Sequence, residues 1–261
     1  MSPTTLELYG VLHLLPLPGA PRSGPGLRAV LERALADAAV LAEAGLVGCV
    51  IENLGDAPFA AGQVSPHVGP MLTRVALEVR RAFPRLRIGI NVLRNDARTA
   101  LGVAAAVEAQ FIRVNVLSGA AWTDQGLIQG EAHALLRARR ELGLEGVVAI
   151  AADVLVKHAV PAGAADLAEV ARETFGRGGA DQLIVTGRAT GAPTPLADVD
   201  VVRAAVPGAP VWVGSGVLPS TVGALRGRAH AAIVGSALHV GGEIGAPLCL
   251  DQARALVAAA G

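Results

Sequence analysis

Short apolar runs rich in β-branched residues alternate along this chain with longer amphipathic runs. The apolar runs fall at 8–14, 48–54, 87–93, 111–117, 147–154, 182–186, 210–214 and 231–234. Between them lie Ala-, Leu-, Arg- and Glu-rich stretches at 27–44, 70–83, 97–108, 131–142, 165–177, 197–206, 220–226 and 251–259. In the first of these, Leu27, Val30, Leu31, Ala34, Leu35, Ala38, Leu41 and Ala42 recur at helical spacing, which predicts one buried stripe. Continuously apolar strands that alternate with helices predict a parallel sheet covered by helices, because such strands have no polar face to give to water. Eight units of this kind in 261 residues fit a closed (β/α)8 TIM barrel. An open doubly wound sheet is the runner-up topology. No linker or shift of composition divides the chain, so a single domain over residues 1–261 is expected.

Composition narrows the function classes. With 22 Lys+Arg against 22 Asp+Glu the formal net charge is +0, so the chain lacks the basic field that nucleic-acid binding draws on. Apolar residues at 52% and charged residues at 17% exclude a disordered chain. Aromatics are only 3%, which predicts an aliphatic core of Ala, Val, Leu and Ile. Cys49 and Cys249 stand too far apart for a CxxC metal knuckle and make no disulfide framework; two reduced thiols in a cytoplasmic protein are expected. The start, Met1-Ser-Pro-Thr, has no basic n-region of a signal peptide. The apolar runs are far shorter than the ~18–20 residues needed to span a bilayer. The mean hydropathy of +0.49 reflects Ala and Val spread over many short elements.

A barrel concentrates its chemistry where strands end and loops lead into helices. Polar residues collect at those places. The first strand ends at His13, and the second runs into Glu52-Asn53-Leu54-Gly55-Asp56. The third carries Asn91 and then Arg94-Asn95-Asp96; the fourth has Arg113 and Asn115, followed by Thr123-Asp-Gln-Gly126. The fifth ends in Asp153, with Lys157-His158 beyond, and the sixth runs into Thr186-Gly187 and Thr190-Gly191. The last two end in Gly214-Ser215-Gly216 and Gly235-Ser236.

Arg113 and Asn115 are two positions apart and share one face of their strand. If that face is the barrel interior, the guanidinium needs an acidic partner, and Glu52 and Asp153 are the candidates. Each carboxylate has two readings, a catalytic acid/base group or one half of an ion pair; for Asp153 the pair would be with Lys157 or Arg113. Asp56 reads as a loop-capping residue. Lys157 reads as a ligand for an acidic substrate group. Gly214, Ser215, Gly216, Gly235 and Ser236 close consecutive terminal strands, where barrels often hold phosphate. Glycine lets backbone N–H groups approach an anion, and serine adds a hydroxyl. The rival reading is that these glycines only turn strands into helices. The long segment 118–130 is a candidate lid, with a subunit contact as its rival.

The histidines, His13, His67, His133, His158, His230 and His239, are scattered without zinc-ligand spacing. No cofactor is evident, although Mg²⁺ on carboxylates such as Glu52 and Asp153 stays open. Dinucleotide, P-loop and serine-hydrolase motifs are absent from the sequence.

Several segments are similar to those of the BtpA/SgcQ family. They are Gly10-Val-Leu-His-Leu-Leu-Pro-Leu-Pro-Gly19, Ile51-Glu-Asn-Leu-Gly-Asp-Ala-Pro-Phe59, Gly89-Ile-Asn-Val-Leu-Arg-Asn-Asp96 and Phe111-Ile-Arg-Val-Asn-Val116. Thr123-Asp-Gln-Gly126, Ala152-Asp-Val-Leu-Val-Lys-His158, Val185-Thr-Gly187, Thr190-Gly191, Val213-Gly-Ser-Gly216 and Ile233-Val-Gly-Ser236 continue the set in order. The resemblance implies a barrel related to phosphate-binding enzymes of the ribulose-phosphate type. It also implies a second role, because the family is named for photosystem I biogenesis, while other members resemble sugar-metabolism proteins.

Two functions follow as expectations. The first is an enzyme on a small phosphorylated, sugar-phosphate-like metabolite, its reaction an isomerisation, aldol cleavage or lyase step left undefined. Glu52 and Asp153 would supply acid/base groups. His13, Asn91, Arg113, Asn115, Lys157 and Thr186 would bind substrate, and Gly214, Ser215, Gly216, Gly235 and Ser236 its phosphate. The second is a non-catalytic factor for photosystem I or another membrane complex, which predicts an exposed apolar or charged patch on the outer helices. Apolar outer helix faces also predict a homo-oligomer.

Overall fold

The regular elements follow the alternation read from the chain. They are β1 (Glu7–His13), α1 (Leu27–Ala44), β2 (Gly48–Glu52), α2 (Val68–Ala82), β3 (Arg87–Asn91), α3 (Ala97–Val107), β4 (Phe111–Val114), β5 (Ala120–Thr123) and β6 (Gly126–Gln129). There follow α4 (Ala132–Glu141), β7 (Ala149–Val154), β8 (Val160–Pro161), α5 (Leu167–Arg172), β9 (Gln182–Val185), α6 (Leu196–Ala205), β10 (Val211–Val213), β11 (Ala231–Val234) and α7 (Leu250–Ala260). This computed structural model describes residues 5–22, 24–163, 165–187 and 193–261. Thr190 and Gly191 lie outside the described residues.

Eight parallel strands close on themselves in the order β1-β11-β10-β9-β7-β4-β3-β2. The (β/α)8 barrel is therefore the fold, and the open sheet is not. Local signals set the ends of the elements. α1 stops where Gly45 takes a left-handed φ of 86° and turns its N–H back onto the carbonyls of Ala42 and Leu41. α3 starts at Asp96, whose side chain accepts from Thr99 N at 3.0 Å.

Alternation along each strand divides the core in two. One parity, including Cys49, Ile51, Ile88, Ile90, Ile112 and Ile150, joins the helices' apolar stripes in an aliphatic layer. The other parity fills the lumen with Tyr9, Val11, Val50, Phe111, Ala151, Ile184, Trp212, Ala231 and Ile233. The expectation of an aliphatic core holds for the outer layer and fails in the lumen. There Tyr9 stacks on Trp212 with centroids 5.0 Å apart, and Phe111 meets both rings edge-on at 5.4 and 5.0 Å. A lumen closed on all sides is filled most economically by a few large planar groups, and the neighbouring strands make room with glycine. A Cβ at Gly89 would stand 2.2 Å from Phe111 Cζ, and one at Gly48 would stand 2.2 Å from Arg87 O and 2.8 Å from Tyr9 Cε1.

Three further features go beyond the sequence reading. The candidate lid at 118–130 is a hairpin, β5 against β6, and β8 extends it to a three-stranded sheet. Its tip is held by Thr123 Oγ1, which accepts from Gln125 N at 3.2 Å and donates to Gly126 O at 2.9 Å. Ala121 and Ile128 face inward, whereas Trp122, Leu127 and Val160 lie side by side in solvent. The helix expected at 220–226 shortens to a 3-10 turn, Val222–Leu225, because seven residues containing Gly223 give a helix too little to propagate on. The helix expected at 165–177 is α5 followed by a π-helical turn, Glu173–Arg177.

Candidate functional site

Above the aromatic plug, the inward positions turn polar at the ends of the strands. Parallel register places His13 beside Glu52, and Glu52 beside Asn91. Arg113 follows on β4 and Asp153 on β7, both buried. Arg113 and Asn115 share a face, as their spacing predicts, and that face is the lumen. Arg113 Nη2 donates to Asp153 Oδ1 at 3.0 Å, and its Nε donates to Oδ2 at 3.3 Å. Asn115 Nδ2 donates to the same Oδ2 at 2.6 Å. Side-chain exposures of 3% for Arg113 and 0% for Asp153 make this a dry, two-point ion pair. Of the two acidic partners open to Arg113, Asp153 is the one it holds. Gly214 supports this arrangement from β10's end: a Cβ there would sit 3.4 Å from Arg113 Nη2 and 2.7 Å from Ile184 Cγ2.

Glu52 is placed differently. It lines a cavity of about 650 Å³ at the barrel mouth, with His13, Arg113 and Asn115. Arg22, Arg94, Lys157, His158 and Asp124 also border it, and Leu14, Leu15, Pro16, Leu54, Phe59, Leu93 and Ile244 give it apolar walls. Asp124 comes from the tip of the β5–β6 hairpin, so that sheet reaches the mouth. Arg22, Arg94 and Lys157, together with the Asp153-paired Arg113, thus border one space with two carboxylates, Glu52 and Asp124. Arg94 Nη2 donates to Lys157 O at 2.8 Å and ties the loops after β3 and β7 together.

Burial dominates the titration of this group. It pushes the Glu52 carboxyl above the usual carboxylate range; Arg113, Lys157 and Arg94 pull against that, and Asp153 adds to it. Burial, with Arg113 adding to it, lowers Lys157, while Glu52 and Asp153 oppose. Burial, then the proximity of His239, Lys157 and Arg113, pushes His13 down to about 3. His13 Nε2 stands 3.8 Å from Glu52 Oε1.

The BtpA family model matches residues 4–261. The chain belongs to the BtpA family. It is 47% identical over 237 residues to the "Photosystem I biogenesis protein BtpA" of Synechocystis sp., covering 91% of this chain and 82% of that one. It is 43% identical to an uncharacterised protein of Pyrococcus furiosus, covering 96% of this chain and 93% of that one. A relative at 31% identity, also uncharacterised, occurs in Caenorhabditis elegans, covering 90% of this chain and 86% of that one. Among solved structures, phosphoribosyl anthranilate isomerase from Thermus thermophilus superposes with a TM-score of 0.56 at 14% identity, covering 97% of this chain and 98% of that one. KGPDC from Streptococcus mutans superposes with a TM-score of 0.58 at 15% identity, covering 100% of this chain and 98% of that one. These likenesses establish the barrel.

On this BtpA-family barrel, His13, Glu52, Asn91, Arg113, Asn115 and Asp153 converge on one rim, and Lys157 reaches the same cavity. Asn91 Nδ2 donates to Arg113 O at 3.3 Å and Asn115 Oδ1 at 3.4 Å. Thr186 directly follows β9 with its hydroxyl buried and unpartnered. Gly214, Ser215, Gly216, Gly235 and Ser236 do not border the 650 Å³ cavity. Ser215 Oγ accepts from Gly187 N at 2.6 Å, Gly235 packs under His13, and the first helical segments after these strands are short 3-10 turns, Val222–Leu225 and Ser236–Leu238. Asp56 bridges loops, accepting from Leu17 N at 2.9 Å and Asn53 Nδ2 at 3.0 Å. Cys49 is buried, and its thiol is pushed up to about 12 by desolvation; Cys249 is half-buried, and neither cysteine is in a disulfide.

His239 had no sequence signal beyond its place past the last strand. Its ring is fully buried and stacks on His13 with centroids 5.1 Å apart. Among the described residues no group of three or more His, Cys, Asp or Glu is arranged to hold a metal ion. No helix among them is long and apolar enough to cross a membrane.

Proposed function

We propose that this chain is an enzyme acting on a small phosphorylated, sugar-phosphate-like metabolite bound in the barrel-mouth cavity. The observation that carries this reading is a set of three basic side chains, Arg22, Arg94 and Lys157, beyond the Asp153-paired Arg113, around a cavity that also holds a buried, protonatable Glu52. Such a lining suits a ligand with an anionic group, and the fold places it at the face where barrels do their chemistry. Several structural neighbours bear the names of enzymes, phosphoribosyl anthranilate isomerase among them, which is consistent with this class.

The geometry favours particular roles. Lys157 and Arg94 take the phosphate, since no carboxylate is hydrogen-bonded to either and both are more buried at the mouth than the exposed Arg22. The Gly-Ser turns at 214–216 and 235–236 then serve as the packing surface beneath Arg113 and His13. Glu52 is the acid/base group, because burial keeps a proton on it nearer neutral pH. Asp153 acts through Arg113, holding the guanidinium where it stabilises charge developing on the ligand. Isomerisation, aldol cleavage and lyase chemistry all use these elements. Thermal-shift measurements against a panel of sugar phosphates test the reading. A rise in Tm that Lys157→Met abolishes supports it; a flat response across the panel, with inorganic phosphate included, refutes it.

A second reading has its own observation. Trp122, Leu127 and Val160, exposed by 56%, 40% and 65%, form an apolar strip on the β5–β6–β8 sheet rather than on the outer helices. Such a strip suits contact with another protein, either a second copy of this chain or a membrane complex of the kind named for the Synechocystis relative. Sedimentation of wild type and Trp122→Ser separates the first case. Retention of photosystem I that Trp122→Ser loses would favour the second.

A further inference from the structure

Two histidines far apart in the chain form a chain of hydrogen bonds that ends on a main-chain carbonyl. His13 Nδ1 lies 2.8 Å from His239 Nε2, and His239 Nδ1 lies 2.6 Å from Ala246 O. A carbonyl oxygen only accepts, so His239 Nδ1 carries a hydrogen. For two neutral imidazoles the remaining positions follow. His239 Nε2 accepts, His13 Nδ1 donates to it, and His13 Nε2 is left with a bare lone pair. That nitrogen is on the side of Glu52, 3.8 Å from its Oε1, and His13 lines the mouth cavity.

The surroundings fix both ends of this relay. Ala246 O also receives Arg33 Nη2, and Arg33 Nη1 donates to Gly245 O at 3.1 Å. Asp37, paired with Arg33, accepts from Leu248 N at 2.9 Å, which anchors the returning segment to α1. Gly235 leaves the space that the His13 ring fills: a Cβ would lie 2.9 Å from its Cε1. His239 is 0% exposed, so water does not compete for its nitrogens.

We propose that His239 is a positioning residue that holds His13 as its Nδ1–H tautomer, so that His13 Nε2 accepts a hydrogen bond from a hydroxyl group of the ligand beside Glu52. This deepens the reading of the cavity as a metabolite site and names a second requirement on the ligand: a donor hydroxyl within reach of both His13 and Glu52, in addition to its anionic group. Burial that keeps His13 neutral supports the role, since an imidazolium has no lone pair to offer.

The tautomer can be read without any ligand, so its outcome is independent of whether sugar phosphates bind. Long-range ¹H–¹⁵N correlation of the full chain labelled at histidine, at neutral pH, should show His13 protonated at Nδ1 and bare at Nε2. His239→Phe should move His13 to the Nε2–H form or to an average of both. His239→Gln, whose amide oxygen reaches the position of Nε2, should restore the wild-type pattern. A phosphorylated polyol that raises Tm should bind about tenfold more weakly to His239→Phe and regain affinity in His239→Gln. Nε2–H on His13 in the wild type overturns the proposal, as does an unchanged His13 pattern in His239→Phe. Should His239→Phe fail to fold, the wild-type spectrum decides by itself.

Discussion

The Arg113–Asp153 pair gives the sharpest quantitative expectation. Both side chains are buried and meet at two points, and Asn115 adds a third hydrogen bond to the carboxylate. Removing one partner strands a charge where water does not reach it, a loss of ~3–5 kcal/mol. For a chain of this length ~1 kcal/mol moves Tm by ~2 °C, so Arg113→Met or Asp153→Leu should each lower Tm by ~6–10 °C. The double variant removes both charges together and leaves an apolar pair in their place. It should recover most of the loss, because replacing a buried pair with packed apolar groups is often close to neutral. The measurement is a double-mutant cycle by urea or thermal unfolding, with an expected coupling energy of ~3 kcal/mol. Losses that simply add, to within ~0.5 kcal/mol, would show that the two groups are not each other's partner and would remove the support for Arg113's placement.

Other expectations concern the lumen and the titrating groups. Gly89→Ala drives a Cβ to 2.2 Å from Phe111 Cζ; overpacking of this kind should cost ~1–3 kcal/mol, and an unchanged Tm would mean the aromatic plug is loosely held. His13 titrates at about 3 in the folded chain against 6.5 unfolded, so the folded state binds fewer protons between those values. Its contribution is present above pH 6.5 and is lost as pH falls, by ~2–3 kcal/mol at pH 4.5. His13→Phe should lack that acid limb, and parallel stability curves for the two proteins would count against the buried neutral ring. Glu52 has the opposite sign: its raised folded value makes the native state bind more protons, so stability falls as pH rises from 4.5 through the raised value. Glu52→Gln should therefore be more stable than wild type at pH 7 and equal to it at pH 4, as read from urea midpoints at each pH.

Much of this molecule is already present in local patterning. Helical and strand periods are properties of neighbours in sequence, and they predict the β/α alternation, with strand starts at Gly48, Arg87, Phe111, Gln182 and Ala231 as observed. The period of two also predicts that Arg113 and Asn115 face together, and the position of Glu52, Asn91 and Asp153 at strand ends marks the polar rim. Partners are another matter, because closure and register of the barrel decide which strand ends meet. Arg113 takes Asp153 rather than Glu52 for that reason, and the freed Glu52 becomes the protonatable group of the cavity. The aromatic plug, the β5–β6–β8 sheet and the pairing of His13 with His239 across 226 positions have no short-range signature. The plug and the histidine pair depend on groups brought together when the barrel closes, and β8 joins the hairpin from beyond β7, so only the tertiary structure decides them.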